Sequence, residues 1–123
     1  MIAGEVTADR VAILQLQTFG PGGAEAGVDA ALDTGFTENL TLPPAVIANL
    51  RLPYRGVADF IVADGVPVRL RLFAASVLWH GQRVRLLVVE ADGGALVGMS
   101  LLHGNRVTLD VVDGGHVTIE PLP

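Results

Sequence analysis

The residues of this sequence that are best suited to chemistry lie in one short segment, Asp33-Thr34-Gly35-Phe36. An apolar segment ending in Ala31-Leu32 runs directly into Asp33, so we expect the carboxylate to emerge from the end of a buried strand. A carboxylate held in such a position can serve as a general acid or base. The alternative is a simple turn, because Asp and Gly are common turn residues and Asp-Thr-Gly occurs by chance in many proteins.

The segments around this motif are predicted to be strands. Their apolar residues alternate with polar ones, which is the period of a half-buried strand, over residues 11–16, 25–32, 57–62, 66–72, 77–79, 84–90, 106–112 and 116–120. Turn signals rich in glycine separate them, such as Asp64-Gly65 and Asp113-Gly114-Gly115. Many short strands joined by such turns predict an all-β barrel or sandwich.

Two segments are predicted to be helical instead. Prolines begin residues 43–50, which suits a first helical turn, and Val46, Ile47 and Leu50 then share one helical face. A second helical turn is predicted over residues 99–102, directly after the apolar segment Leu96-Val97-Gly98. Since no linker, charge block or low-complexity segment interrupts the chain, residues 1–123 are predicted to form a single domain.

In this order, the features resemble the retropepsin-like, or retroviral-type, aspartic peptidases, and in particular the small prokaryotic members whose motif is Asp-Thr-Gly-Phe. The resemblance runs from about residue 11 to residue 122. Its parts are the Asp-Thr-Gly loop at 33–35, the helix at 43–50, a hairpin near 60–68, and the hydrophobic-hydrophobic-Gly element Leu96-Val97-Gly98. It implies an all-β, closed barrel-like retropepsin fold with one or two short helices.

The resemblance also implies an enzyme, an aspartic endopeptidase that is active as a homodimer. Enzymes of this class use two carboxylates that share one proton, because both cannot ionise at close range. This sequence holds one Asp-Thr-Gly, and the glycine element near its end carries no acid, so Asp33 of a second copy is expected to supply the other carboxylate. The substrate is expected to be a peptide or an unfolded protein.

Roles for the other residues follow from the same resemblance. Thr34 is expected to interlock with the partner's loop, and Gly35 to let substrate and partner backbone approach. Phe36 stands where viral enzymes carry a small residue, and is expected to narrow a subsite. Ala63, Asp64 and Gly65 are expected to form the tip of a flap that closes over the peptide.

Composition excludes several other classes of function. The net charge of −5 disfavours a nucleic-acid partner, and the sequence has no cysteine for disulfides or thiolate metal sites. The three histidines do not have the spacing of metal ligands, so neither a metal nor another cofactor is expected. No signal peptide or membrane-spanning run is visible, which predicts a soluble, cytoplasmic protein. Half of the residues are hydrophobic and 17% are charged, which indicates apolar surface buried against another chain.

Two other interpretations remain open at this point. In the first, the chain is a catalytically silent dimer of the same fold that binds peptides or other partners. In the second, it is a small β-barrel whose Asp-Thr-Gly is accidental. The ordered set of motifs argues against the second, but an intact motif is necessary for hydrolysis without proving it.

Overall fold

The computed structural model describes residues 1–61 and 64–123. Within this part of the chain, the secondary structure is dominated by strands. The strands are β1 (Ile2–Val6), β2 (Ala12–Phe19), β3 (Glu25–Leu32), β4 (Thr41–Leu42), β5 (Tyr54–Ile61), β6 (Pro67–Trp79), β7 (Gln82–Glu90), β8 (Ala95–Val97), β9 (Asn105–Leu109) and β10 (His116–Pro121). The helices are α1 (Pro44–Leu50) and α2 (Met99–Leu102), both where the sequence predicts them.

All the strands belong to one sheet. Its main path runs β4-β7-β6-β2-β1-β10-β9, while β3 pairs with β2 and β8, and β5 pairs with β6. Most pairs are antiparallel, but β3–β8 and β4–β7 are parallel. The path has two ends, so the sheet is barrel-like without closing completely. The predicted all-β architecture with two short helices is confirmed.

One hydrophobic core lies inside this sheet, and period-2 alternation explains how the strands reach it. On β2, Leu14, Leu16 and Thr18 point inward, with Thr18 satisfied by donating its hydroxyl to the Ala26 carbonyl over 2.8 Å. On β6, the odd-numbered side chains from Phe73 to Trp79 are buried. Helix α1 adds Ile47 and Leu50 and ends at Arg51 in the left-handed conformation.

Several element boundaries differ from the predicted ones. The two strands predicted at 66–72 and 77–79 form one strand, β6, because Phe73, Ala75 and Val77 continue the alternation through small neighbours. Strand β9 ends at Leu109 although the pattern predicts it to continue to residue 112. A turn begins there instead, in which the Val112 amide donates to the Asp110 carbonyl.

The two ends of the chain pair with each other. Strand β1, for which the sequence gives no prediction, aligns Ile2 with Ile119 and lies between β10 and β2. Strand β10 in turn lies between β1 and β9. No helix in the described part of the chain combines the length and apolar character needed to cross a bilayer.

Candidate active site

Asp33 lies at the point where two parallel strands end together. Strand β3 runs beside β8 with Leu32 opposite Val97, and the Asp33 amide extends this pairing by donating to the Val97 carbonyl over 2.9 Å. Because β3 is fixed on its other side by β2, the backbone of Asp33 is anchored in the sheet. The sequence prediction that Asp33 leaves a strand end is confirmed, and its catalytic role stays a prediction.

The carboxylate of Asp33 is held by the loop that follows it. Its Oδ1 accepts a hydrogen bond from the Gly35 amide over 2.9 Å. The Asp33 carbonyl accepts from the Phe36 amide over 3.2 Å, which closes a turn through Thr34 and Gly35. Asp33 is partly exposed, while Thr34 and Gly35 are exposed. The loop therefore presents one oriented carboxylate outward.

Gly98 packs closely against the segment that follows this loop. An added Cβ at Gly98 would lie 2.1 Å from the Glu38 carbonyl oxygen and 2.6 Å from Cδ2 of Phe36. The Gly98 amide donates to the Asn39 carbonyl over 3.0 Å, and the Met99 amide donates to the Phe36 carbonyl over 2.8 Å. Only glycine permits this approach, which gives the element Leu96-Val97-Gly98 a physical reason within the chain.

The Phe36 side chain therefore packs against a residue of its own chain. Its ring lies against Gly98, and it is partly exposed. It does not line the cleft that contains Asp33 and Thr34. Its effect on a substrate subsite stays a prediction.

Two residues to which the sequence assigns no role stabilise the same region. Thr41 is buried, and its Oγ1 accepts a hydrogen bond from the Leu96 amide over 2.8 Å. Ser100, to which the sequence assigns no role, donates its hydroxyl to the Thr37 carbonyl over 2.5 Å. In the sequence, the only indication of this role is that the polar Thr41 stands between Leu40 and Leu42. The neighbouring residues do not indicate that its hydrogen-bond partner is Leu96.

The carboxylate borders a broad cleft of about 830 Å³. Asp33 and Thr34 line it together with the polar residues Arg10, His103 and Asn105, and the apolar lining includes Leu32, Met99, Val107, Leu109 and Val111. A separate cleft of about 670 Å³, lined in part by Gln15, Asp29 and His80, contains none of the loop residues. The chemistry-bearing residues thus coincide with the first of these clefts.

The predicted flap corresponds to the hairpin of β5 and β6. Its last registered pair is Ile61 opposite Pro67. Asp64 Oδ1 accepts from the Val66 amide over 2.9 Å, and Gly65 has a positive φ of 78°, so both residues form a turn. Ala63, also predicted for the flap, lies outside the described residues. Among those described, no hydrogen bond joins this turn to the Asp33 loop.

Residues 1–61 and 64–123 contain no cluster of three or more His, Asp or Glu side chains suited to holding a metal ion. The charged side chains with ion-pair partners lie elsewhere, notably Arg71, which forms a two-pronged hydrogen bond to Glu90 at 2.8 Å. The chemistry that the Asp33 loop offers is therefore that of a single oriented carboxylate beside an apolar cleft.

Comparison with known proteins identifies the fold to which this site belongs. No family model matches the sequence, and neither does any curated protein. Among solved structures, the chain is similar to the EIAV protease complexed with the inhibitor HBY-793, with a TM-score of 0.60 and 15% sequence identity. The match covers 77% of this chain and 88% of that one. The fold of this chain is therefore retropepsin-like, as the sequence predicts.

Proposed function

We propose that this chain is an aspartic endopeptidase that acts as a homodimer, in which Asp33 of each copy forms the catalytic pair. The observation that carries the proposal is the placement of Asp33 within a retropepsin-like fold. Its backbone continues the β3–β8 pairing, its Oδ1 is held by the Gly35 amide, and it borders an apolar cleft. The structurally similar EIAV protein is a protease with a bound inhibitor, which supports the same class of activity.

The proposed reaction needs two carboxylates that share one proton. The ionised carboxylate takes a proton from a water molecule, which attacks the carbonyl carbon of the peptide bond. The protonated partner gives its proton to the carbonyl oxygen, so that the tetrahedral intermediate forms without a free oxyanion. The Gly35 amide keeps Oδ1 oriented during these transfers. A single chain has one such carboxylate, and the second copy supplies the other.

The supporting residues receive roles that fit their positions. Thr34 is exposed at the mouth of the cleft, where its hydroxyl is available to the partner's loop. We assign Phe36 to the edge of a substrate subsite, and Ala63, Asp64 and Gly65 to a flap tip over the substrate, which is a peptide or an unfolded protein. The Asp-Thr-Gly-Phe motif supports placement in the small prokaryotic subgroup, and the absence of cysteine supports a cytoplasmic location.

The decisive experiment replaces Asp33 with Asn. The amide oxygen of Asn keeps the size of the carboxylate and can still accept from the Gly35 amide, but it provides no acid or base. Cleavage of a peptide library is expected to fall by roughly 10²–10⁴-fold or more, with an unchanged melting temperature. Asp29→Asn is the matched control, because it makes the same charge change on an exposed position of the same strand.

Full cleavage by a folded Asp33→Asn protein would contradict the proposal. So would equal losses in the Asp29→Asn control, because a general charge effect would then explain both. A wild-type protein that binds peptides from the library without cleaving them would instead identify a peptide-binding dimer of this fold.

A further inference from the structure

A small concavity on the surface of the sheet gathers several of the cationic side chains of the protein. It has a volume of about 210 Å³ and lies where β2, β6 and β7 run side by side. Arg55, Arg83 and Arg85 line it, and all three are exposed. The chain has 8 cationic residues and a net charge of −5, so overall composition does not explain this concentration of positive charge.

The arginines of this concavity differ from those of β6 in their ion pairing. Across residues 1–61 and 64–123, the ion pairs join Arg69 to Asp59 and Arg71 to Glu90. None of the three arginines that line the concavity takes part in an ion pair within these ranges. Their positive charges are therefore not neutralised by contact with a carboxylate and can attract an anion.

The pairing of three neighbouring strands determines where two of these arginines lie. Phe19 of β2 is opposite Ser76 of β6, and Ser76 is opposite Arg85 of β7. Residues opposite each other in a sheet direct their side chains to the same face, so these three form a row across the strands. Arg83 precedes Arg85 by two residues on β7 and therefore shares this face.

The guanidinium of Arg83 is positioned by the aromatic ring of Phe19. Its Cζ lies 3.8 Å from the ring centroid, which is the distance of a stacked cation–π contact. The ring beneath it is buried. Stacking covers one face of the guanidinium, but its N–H groups lie in its plane and can still donate. The donors are thus oriented before a ligand binds, which lowers the entropic cost of binding.

The remaining lining of the concavity supplies a third cation and no acid. Arg55 lies near the start of β5, where its Nη1 donates to the Tyr54 carbonyl over 3.2 Å. Ser76 is partly exposed between Phe19 and Arg85. Among the described residues that line the concavity, none is Asp or Glu.

We propose that this concavity binds the phosphate group of a phosphomonoester. Such a group has three terminal oxygens and a charge of about −1.5 to −2 at neutral pH, which suits several guanidinium groups around one point. A carboxylate has one charge and two oxygens, and a single arginine satisfies both oxygens with its two parallel N–H groups. The volume is below the roughly 300 Å³ at which small-molecule pockets begin, so the phosphate group enters and the rest of the ligand stays outside.

This site is remote from Asp33, so the inference does not depend on the proposed function. Asp33 follows the end of β3 where Ala31 pairs with Ile13, near the start of β2. Phe19 is at the other end of β2, a strand of 8 residues. At about 3.3 Å per residue, the two ends of this strand are roughly 20 Å apart. A ligand in the concavity therefore leaves the cleft of Asp33 open.

Binding of model anions tests the site directly. Titration of the ¹⁵N-labelled protein with phenyl phosphate is expected to shift the Nε–H signals of Arg83 and Arg85 and the backbone amide of Ser76. The affinity for phenyl phosphate should exceed that for benzoate, which has a carboxylate on the same ring, by about tenfold or more. Equal affinities for the two anions would overturn the proposal, as would unshifted signals at these residues throughout the millimolar range.

Substitutions separate phosphate binding from a structural role of the same arginines. Arg85→Gln removes one charge without removing the contact of Arg83 with Phe19, and is expected to weaken phenyl phosphate binding by about tenfold. Arg83→Lys keeps the charge but loses the planar fork of donors, and should also weaken binding several-fold. Melting temperatures of the same preparations are expected to show that both variants are folded. Wild-type affinity in both folded variants would overturn the proposal.

Arg106→Gln is the matched control for these substitutions. It makes the same charge change on an exposed position of β9, and β9 is separated from β2 by β1 and β10. Its affinity for phenyl phosphate should stay within about twofold of the wild type, since only a screened, long-range attraction is lost. A loss equal to that of Arg85→Gln would mean that the anion responds to overall charge alone, which would overturn the site.

Two further esters identify the source of the phosphate group. A short phosphoserine peptide presents the group on a protein chain, and glycerol 3-phosphate presents it on a small metabolite. Each is expected to displace phenyl phosphate, and the tighter of the two shows whether the natural ligand is a phosphorylated protein or a phosphorylated metabolite. Failure of both esters to displace phenyl phosphate would overturn the assignment to phosphomonoesters.

Discussion

The β3–β8 end and the β9 edge both border the cleft of Asp33, but they differ in how completely the chain satisfies them. At the β3–β8 end, the Asp33 amide, the Leu96 amide and the Gly98 amide all donate to groups of the same chain. At the β9 edge, the Asp110 amide donates to the His116 carbonyl of β10, so the alternation of an antiparallel pair directs the amides of Val107 and Leu109 away from β10, and aliphatic side chains are exposed. The chain thus fixes the position of its own carboxylate. On the β9 side of the same cleft, it leaves aliphatic side chains and outward-facing backbone amides exposed.

Because the chain packs closely at the β3–β8 end, we expect an added methyl group at Gly98 to destabilise the protein. In Gly98→Ala the new methyl group would meet the Glu38 carbonyl at 2.1 Å, and backbone cannot move aside as a flexible side chain can. We expect the free energy of unfolding to fall by about 2–3 kcal/mol, and cleavage to fall with it because the loop carries Asp33. Thermal and urea unfolding measure the first effect, and peptide hydrolysis the second.

Gly94→Ala is the control for this change. An added Cβ at Gly94 has no heavy atom within 4 Å, and the residue precedes the same strand, β8. Its stability is expected to stay within about 0.5 kcal/mol of the wild type. Equal losses in both alanine variants would mean that the close approach at Gly98 is not what stabilises the loop.

A smaller effect is expected at Thr41, which completes the hydrogen bonding of the same region. Thr41→Val preserves the shape of the side chain but leaves the half-buried Leu96 amide without its acceptor, which costs about 1–3 kcal/mol. Thr41→Ser keeps the hydroxyl and loses one methyl group, at a cost of about 1 kcal/mol. Amide exchange at Leu96 separates the two mechanisms. It should accelerate in the valine variant and stay slow in the serine variant; similar rates in both would contradict the role of the hydroxyl.

The parts of the fold that the sequence predicts are those encoded locally. Alternation in residues 25–32 predicts β3 with its observed bounds, and the prolines at 43 and 44 predict α1 to within one residue. Local patterns do not say which strands become neighbours. Ala30 and Ala95 pair although they are distant in sequence, and the two-residue strand β4 exists only because β7 lies beside it.

The same division applies to the candidate site. Asp33 stands out because an apolar strand runs into an acidic residue and a glycine, a pattern contained within a few residues. The contact between Thr41 and Leu96, and the approach of residues 36–38 to Gly98, require segments that only folding brings together. The open edge of β9 is invisible for the same reason, since its side chains look like those of any exposed strand.

The final prediction contrasts the two glycines of the site. Gly35 does not have a positive φ, and an added Cβ would approach one atom only, Oδ1 of Asp33 at 3.3 Å. A shift of a few tenths of an ångström in that carboxylate accommodates the methyl group, and alanine also lowers the entropy of the unfolded chain. The stability of Gly35→Ala should therefore stay within about 1 kcal/mol of the wild type, in contrast to Gly98→Ala.

Cleavage by Gly35→Ala, by contrast, should fall by roughly tenfold or more, because the methyl group enters the exposed space beside the carboxylate that we assign to substrate and the partner's loop. Melting temperature, sedimentation and peptide hydrolysis should be measured on one preparation, so that loss of the dimer and loss of chemistry are told apart. A variant that unfolds would mean that Gly35 is packed by its own chain as Gly98 is. A variant that is stable and fully active would mean that neither substrate nor partner occupies the space beside Gly35. The catalytic loop would then resemble neither the closely packed β3–β8 end nor a surface that binds another molecule.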